Sequence, residues 1–152
     1  MVSAVVLANS ILLRAFKEGI PVNLLKLQKL LYYTALDYLH NFDRQLLSES
    51  FYRGGHGPIL LSVQDEFKAY KEKTIITFAR DSMGNVMVID ERKEPRIRKC
   101  VDTIWAKYKN RTGDSLSEMS HEAGGAWELA GKKTSKVITE DLMREEIVLR
   151  YG

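Results

Sequence analysis

The sequence predicts a mainly α-helical protein with a small antiparallel β-sheet, an α+β fold built around one buried central helix. Residues 23–42 are apolar on almost every side, and a helix of this kind is buried by its neighbours. Other segments repeat apolar residues at helical spacing, whereas short runs rich in β-branched residues are typical of strands. The length of 152 residues suffices for a core, so we expect a single domain over residues 1–152.

Two antiparallel helices are predicted at the start of the chain. The first runs from Ser3, a good N-cap, to about Lys17, because its apolar residues recur at helical spacing. Gly19 and Pro21 should end it, since glycine accepts the left-handed C-terminal position and proline cannot continue a helix. The central helix then begins after Asn23, whose side chain can cap its first turn.

The sequence of residues 48–90 predicts the small β-sheet. Residues 48–53 are expected to form a short strand, and a glycine-rich turn follows at residues 54–57. Pro58 is well placed to begin a new helix that reaches about Lys71. The β-branched runs at residues 74–79 and 86–90 flank turn residues and predict a β-hairpin, to which residues 48–53 could add a third strand.

The C-terminal part is predicted to be helical again. Pro95 should open a helix that ends near Asn110. Ser115 and Glu118 have capping-box spacing for a short helix that ends near residue 121. After a break at residues 124–125, residues 126–130 form a further turn, residues 131–137 form a polar basic loop, and Thr139 caps the last helix.

Composition limits the class of protein. The net charge of +3 is mildly basic and does not by itself require nucleic acid. Cys100 is the only cysteine and cannot form an internal disulfide, so a reducing cytoplasm is the expected location. Polar residues interrupt the apolar N-terminus and no apolar run reaches membrane-spanning length. Neither a signal peptide nor a membrane segment is therefore predicted.

The central helix also carries a specific pattern, since residues 23–33 are NLLKLQKLLYY. This order resembles the LKLQKLLYY signature of the Panacea, or SocA-like, antitoxin family, which includes phage-associated GepA-like proteins. Residues 56–59, HGPI, resemble the HGPV turn of that family. Residues 116–121, LSEMSH, with the following Trp127, resemble its LSELSH segment and tryptophan. The chain departs from the family pattern at Gly54, where members often have tryptophan, and at Ala126, where they often have proline.

The resemblance implies a function as well as a fold. It implies a mostly helical domain with a small antiparallel sheet, and an antitoxin of a bacterial or prophage toxin–antitoxin system. Such a protein neutralises a cognate toxin by direct protein–protein binding. The SocA branch further implies an adaptor role, in which the antitoxin delivers the toxin to a protease. No cofactor and no catalytic activity are implied.

We expect the partner to bind near the glycine-rich turn. Residues 53–59 should close over one end of the central helix, near Tyr32 or Tyr33, and present an edge to a partner. The imidazole of His56 either contacts the partner or holds the turn by bonding to backbone carbonyls. The candidate partner-binding residues are Tyr32, Tyr33, Arg53, His56, Pro58, His121 and Trp127.

No motif in the sequence indicates an enzyme or a metal site. The histidines and the cysteine are spread along the chain without ligand spacing, and His121 is predicted to be a packed, hydrogen-bonded residue near Trp127. A hydrolase or nuclease that uses His56 or His121 is a remaining alternative. However, no second acid, base or nucleophile stands at a recognisable spacing from either histidine.

A basic segment, residues 92–111, is the strongest electrostatic feature. It carries eight cationic residues against Glu94 and Asp102. One interpretation is a solvated helix face, and the others are a surface for an acidic partner or for the nucleic-acid backbone. A nucleic-acid-binding regulator is therefore the alternative function, and its candidate residues are Arg92, Arg96, Arg98 and Lys99.

Overall fold

The computed structural model describes every residue from Met1 to Gly152 and confirms a mainly helical fold with a small antiparallel sheet. Its helices are α1 (Ala4–Glu18), α2 (Leu24–Phe42), α3 (Leu61–Phe67), α4 (Pro95–Tyr108), α5 (Gly113–Ser120), α6 (Ala126–Lys132) and α7 (Glu140–Tyr151). Its strands are β1 (Phe51–Gly54), β2 (Gly57–Ile59) and β3 (Val137–Ile138), in the order β2-β1-β3.

Helix α2 lies at the centre, as the sequence predicts. It contacts α1, α3, α4, α5, α7 and β2. Its apolar residues belong to a cluster of 36 buried hydrophobic residues that reaches every part of the fold. Because neighbours surround the helix, polar side chains on it are buried too, among them Gln28, Lys29 and Thr34. The polar residues of α2 therefore need partners inside the protein.

The predicted ends of several helices are present. The hydroxyl of Ser3 accepts from the amide of Val6, and Gly19 closes α1 in the left-handed conformation with φ 66°. The side chain of Asn23 accepts from the amide of Lys26 at 2.9 Å. Helix α4 begins at Pro95, and Thr139 caps α7. These ends depend on neighbours three or four residues away, which is why the sequence predicts them.

The prediction of a helix that begins at Pro58 is wrong. Pro58 lies in β2, opposite Arg53 of β1, and α3 begins only at Leu61. Strand β2 is an edge strand, where a residue without an amide proton is tolerated. Strand β1 also begins later than predicted, at Phe51, and pairs on its other side with β3.

The predicted hairpin of residues 74–79 and 86–90 does not form, because two polar residues of α1 take its hydrogen-bonding groups. Asn9 donates to the carbonyls of Ala79 and Met87 at 2.9 and 3.0 Å, and accepts from the amide of Ala79 at 2.9 Å. Ser10 accepts from the amide of Ile89 at 2.8 Å. Only the turn between the two runs has backbone bonds of its own, and the third strand of the sheet is β3.

Two smaller predictions near the C-terminus are also wrong. Thr112, not Ser115, caps α5, and its hydroxyl accepts from the amide of Ser115 at 3.1 Å. Residues 131–137 are not all loop, because α6 extends to Lys132 and β3 begins at Val137. None of the helices has both the length and the apolar character needed to span a membrane.

We predict that Asn9→Ala lowers the free energy of unfolding by about 2–3 kcal/mol, because it leaves the buried backbone of Ala79 and the part-buried carbonyl of Met87 without their partner. Chemical denaturation measures this value. Asn41→Ala is the matched control, since Asn41 is an exposed residue that bonds only within α2. The control should change the free energy of unfolding by about 0.5 kcal/mol or less. Equal losses for the two variants would contradict the assigned role of Asn9.

Candidate partner-binding surface

The β1–β2 hairpin is fixed to α2 by two buried polar side chains. The ammonium of Lys29 donates to the carbonyl of Pro58 at 3.0 Å. The amide group of Gln28 bonds both backbone groups of Leu60, at 2.9 and 3.0 Å. The hairpin therefore closes over the N-terminal half of α2, one helical turn before Tyr32 and Tyr33, where the sequence predicted it.

The tip of the hairpin is held from the other side by α5. The hydroxyl of Ser117 donates to the carbonyl of His56 at 2.5 Å. Gly57 has a φ of 117°, and a Cβ there would clash with the Ser120 hydroxyl and with the Lys29 side chain. Only glycine allows this close approach. The backbone of His56 therefore fixes the turn, whereas its imidazole is exposed and makes no hydrogen bond to the protein.

Arg53, His121 and Trp127 come together beside the hairpin. The guanidinium of Arg53 lies 3.6 Å from the centre of the Trp127 ring, and its Nε donates to the carbonyl of Trp127 at 2.8 Å. The indole nitrogen of Trp127 donates to the carbonyl of Gly54 at 2.7 Å. The ring of His121 stacks on Trp127 at 4.0 Å. We call Arg53, His56, His121 and Trp127 the hairpin surface.

His121 packs on Trp127 as predicted, but the predicted hydrogen bond of its ring does not form. Its Nε2 is buried and has no partner. Burial lowers the pKa of His121 below its usual range, and the nearby positive charges of Lys29, His56 and Arg53 lower it further. Both effects favour the neutral form of the ring.

The other three candidate residues lie beneath this surface. Tyr32, Tyr33 and Pro58 are buried, so they support the hairpin surface rather than form part of it. Tyr32 donates to the carboxylate of Glu146 at 2.8 Å, and the guanidinium of Arg150 lies 5.2 Å from the ring centre of Tyr33.

Glu146 is a structural residue that the sequence analysis missed. Its carboxylate accepts from the hydroxyl of Tyr32, from the amide of Ala126 at 2.8 Å and from Arg150 at 2.6 Å. It is 1% exposed, so it links α2, α6 and α7 from inside the protein. A signal was present in the sequence, because Glu146 follows Leu142 and Met143 at the spacing of the buried helix face.

A groove of about 340 Å³ lies between the hairpin and the start of α2. Its lining includes Gln28, Lys29, His56 and Lys71, and no carboxylate contributes to it. Burial lowers the pKa of Lys29 to about 7, and no acidic neighbour counters this shift. The hairpin surface and the groove beside it are therefore cationic or neutral throughout.

The candidate residues of the basic segment lie on α4 and the turn before it. Arg92, Arg96, Arg98 and Lys99 are exposed. Two nearby acidic groups are paired, because Arg14 binds Glu91 at 2.6 Å and Asp102 at 2.8 Å, whereas Glu94 is exposed and takes part in no ion pair. Two cations at the end of the segment are not free: Lys109 pairs with Glu18, and Arg111 bonds to Ser115.

The geometry gives little support to the alternative of a hydrolase or nuclease that uses His56 or His121. The hydroxyl of Ser62 bonds the carboxylate of Glu49, so it is not paired with His56. No group of three or more His, Cys, Asp or Glu residues is placed to hold a metal ion. Cys100 is buried, and burial raises the pKa of its thiol to about 12. A thiol in that state is a poor nucleophile.

The buried Lys29 predicts a pH dependence of stability. The unfolded chain binds more protons than the folded chain between pH 7 and the usual lysine pKa of 10.5, so stability rises with pH in this window. We expect the free energy of unfolding to increase by about 1 kcal/mol between about pH 7 and about pH 8. Denaturant titrations at both pH values measure this, and Lys29→Met should remove the increase. An equal increase in the variant would assign the effect to another group.

Comparison with known proteins identifies the same family as the sequence pattern in α2, the hairpin and Trp127. Residues 27–128 match the family described as antitoxin SocA-like, Panacea domain. The chain is 28% identical over 131 residues to the antitoxin SocA of Caulobacter vibrioides (strain NA1000 / CB15N). The aligned region covers 84% of this chain and 70% of that protein. No solved structure matches the chain. The matched residues extend from the buried part of α2 through the hairpin to Trp127, and the chain belongs to the SocA-like antitoxin family with a Panacea domain.

Proposed function

We propose that the protein is an antitoxin that neutralises a cognate protein toxin by binding it directly at the hairpin surface. Membership of the SocA-like family supports a toxin partner in general. The stack of Arg53 on the half-buried Trp127 is the single observation that favours this surface. In this proposal the protein acts by binding and without catalysis.

The composition of the surface fits a protein interface. Tryptophan and arginine are enriched among the residues that contribute most to protein binding. Here both are held in one conformation, because Arg53 donates to the carbonyl of Trp127 and the indole of Trp127 donates to the carbonyl of Gly54. Groups that are fixed before binding lose little conformational entropy when the partner arrives. The terminal nitrogens of Arg53 make no hydrogen bond within the protein and are available to a partner.

The charge of the surface favours an acidic region of the toxin. Arg53 takes part in no ion pair, and His56 and Lys71 line a groove to which no carboxylate contributes. Complementary charge increases the rate of association and selects the correct partner. Delivery of the toxin to a protease, the adaptor role that the resemblance implies, would require a second surface that stays free in the complex.

We predict that His56→Ala weakens toxin binding about tenfold or more, as expected for a residue at the centre of an interface. Its melting temperature should stay within about 2 °C of the parent value, because the exposed imidazole makes no bond to the protein. A small toxin-like reading frame is expected beside this gene, and calorimetry with its purified product gives the affinity. His40→Ala is the matched control, since His40 is an exposed histidine near the other end of α2.

The two parts of the proposal can fail separately. If coexpression of this chain does not relieve the growth arrest caused by the toxin, and no complex forms, the antitoxin function is wrong. If a complex forms and both His56→Ala and Arg53→Ala bind with the parent affinity, the toxin binds at another surface. A large fall in melting temperature for His56→Ala would make this histidine structural.

A second candidate function is binding of the operon's own DNA through α4. The observation that favours it is the set of four exposed cations on this segment, whose neighbouring acids Glu91 and Asp102 are held by Arg14. Exposed Arg and Lys side chains can contact the phosphates of DNA without any base contact. Such binding would let the antitoxin repress its own gene.

We predict that replacing Arg96, Arg98 and Lys99 together with Ala weakens DNA binding, measured by fluorescence anisotropy with upstream DNA. If the parent protein contacts three phosphates, its affinity for DNA should also fall about 40-fold when the salt concentration is raised from about 50 to about 200 mM. The control is the triple Ala variant at Lys132, Lys133 and Lys136, which removes the same charge from another surface. No binding at low salt, or equal losses in both variants, would reject DNA binding through α4.

A further inference from the structure

Gly131 lies inside a helix whose conformation does not require glycine. It belongs to α6, and its φ is outside the left-handed region in which Gly19, Gly57 and Gly124 lie. Glycine weakens a helix interior compared with alanine, because its backbone loses more conformational freedom on folding. The backbone of α6 therefore does not explain why glycine stands at position 131, and the explanation lies in its surroundings.

The guanidinium of Arg53 occupies the space beside Gly131. A Cβ atom at position 131 would lie 2.5 Å from Nη2, 2.7 Å from Cζ and 2.8 Å from Nε of Arg53. Each of these distances is shorter than Cβ atoms in proteins show, so the arginine would have to move. The guanidinium can therefore keep its position only while residue 131 has no side chain.

Three contacts define the position of Arg53. Its backbone amide donates to the carbonyl of Lys136 at 2.7 Å, which fixes the strand from which the side chain extends. Its Nε donates to the carbonyl of Trp127 at 2.8 Å, and its Cζ lies 3.6 Å from the centre of the indole ring. The edge of the guanidinium that carries Nη1 and Nη2 remains unused, because neither nitrogen donates to the protein and both reach the solvent.

No carboxylate of this chain pairs with that edge. Arg53 takes part in no ion pair. Glu128, the one acidic residue of α6, accepts from the amide of Gly124 at 3.1 Å and pairs with Lys132 at 3.4 Å. Two donors held in one plane match the two oxygens of a carboxylate, and such bidentate pairs are among the strong hydrogen bonds of proteins. The free edge of Arg53 therefore fits a carboxylate from outside the chain.

We propose that Gly131 positions Arg53 to bind the side chain of an aspartate or glutamate of the toxin through Nη1 and Nη2. Gly131 leaves room for the guanidinium to lie on Trp127, and Trp127 holds it there with its outer edge unpaired. Because the guanidinium is oriented before the toxin arrives, little side-chain entropy is lost on binding. The inference rests on the proposed toxin-binding function, to which it adds a positioning residue and the chemical group that Arg53 recognises.

The first measurement uses the free protein and the variant Gly131→Ala. Nuclear Overhauser effects between the side chain of Arg53 and the ring protons of Trp127 should be present in the parent and absent in the variant, because the added methyl group displaces the guanidinium. The variant should remain folded, since alanine favours the helix and the displaced group is the end of a flexible side chain. Its melting temperature should lie within about 3 °C of the parent value.

The second measurement is the affinity for the purified product of the adjacent toxin reading frame. Gly131→Ala should weaken binding about tenfold or more, as should Arg53→Ala. The matched control is Gly131→Ala in the Arg53→Ala background, where no guanidinium is left to displace. There the substitution should change the affinity less than about twofold and raise the melting temperature by about 2 °C, because only its effect on the helix remains.

A series of toxin variants identifies the recognised group. Each aspartate of the toxin is replaced by asparagine and each glutamate by glutamine, which keeps the size of the side chain and removes its charge. One of these replacements should weaken binding to the parent protein about tenfold or more. The same replacement should have little effect on binding to Arg53→Ala or Gly131→Ala, because the pair is already broken in both.

The outcomes separate this inference from the proposed function. If the contacts between Arg53 and Trp127 persist in Gly131→Ala, or if this substitution weakens binding equally in the Arg53→Ala background, Gly131 does not act through Arg53 and the inference is overturned. If no acidic residue of the toxin is coupled to Arg53, recognition of a carboxylate is wrong, whereas the hairpin surface stands if His56→Ala still weakens binding. If the toxin does not bind the parent protein, the proposed function itself is wrong and the recognition that rests on it is wrong as well.

Discussion

The structure depends on one constraint: a helix that is enclosed on all sides cannot leave its polar groups to water. Gln28, Lys29 and Tyr32 of α2 are buried, and an unpaired polar group in such a place costs about 1–3 kcal/mol. Each of these three finds a partner elsewhere in the chain, Gln28 at Leu60, Lys29 at Pro58 and Tyr32 at Glu146, whereas the buried hydroxyl of Tyr33 has none. The polar groups of the central helix therefore decide where the hairpin and α7 lie.

The candidate surface is a consequence of these bonds. Once the hairpin is fixed on α2, Arg53 and the carbonyl of Gly54 lie where Trp127 can bond both. Glu146 holds the start of α6 through the amide of Ala126, which places Trp127 in turn. A binding surface whose side chains are supported by a buried network keeps its shape in the free protein.

The same principle explains why residues 74–79 and 86–90 form no hairpin. Asn9 and Ser10 are polar residues on the buried face of α1, and they form hydrogen bonds with the backbone of Ala79, Met87 and Ile89. Those bonds take the place of the interstrand hydrogen bonds of a hairpin that local propensity favours. Propensity for strands is weak compared with burial and pairing, so tertiary contacts override it here. The residues left over have free backbone groups at the surface.

The helices that depend on close neighbours follow from local sequence patterns: α1, α2, α4 and α7, with their caps and glycine or proline boundaries. The family follows from such patterns too, through the residues of α2, the HGP turn and Trp127. Tertiary structure alone decided that Pro58 is in a strand and that no hairpin forms after it. The physical reason is separation along the chain, because Asn9 bonds Ala79 seventy residues away and Tyr32 bonds Glu146 at a separation of 114. No local pattern carries information about such partners.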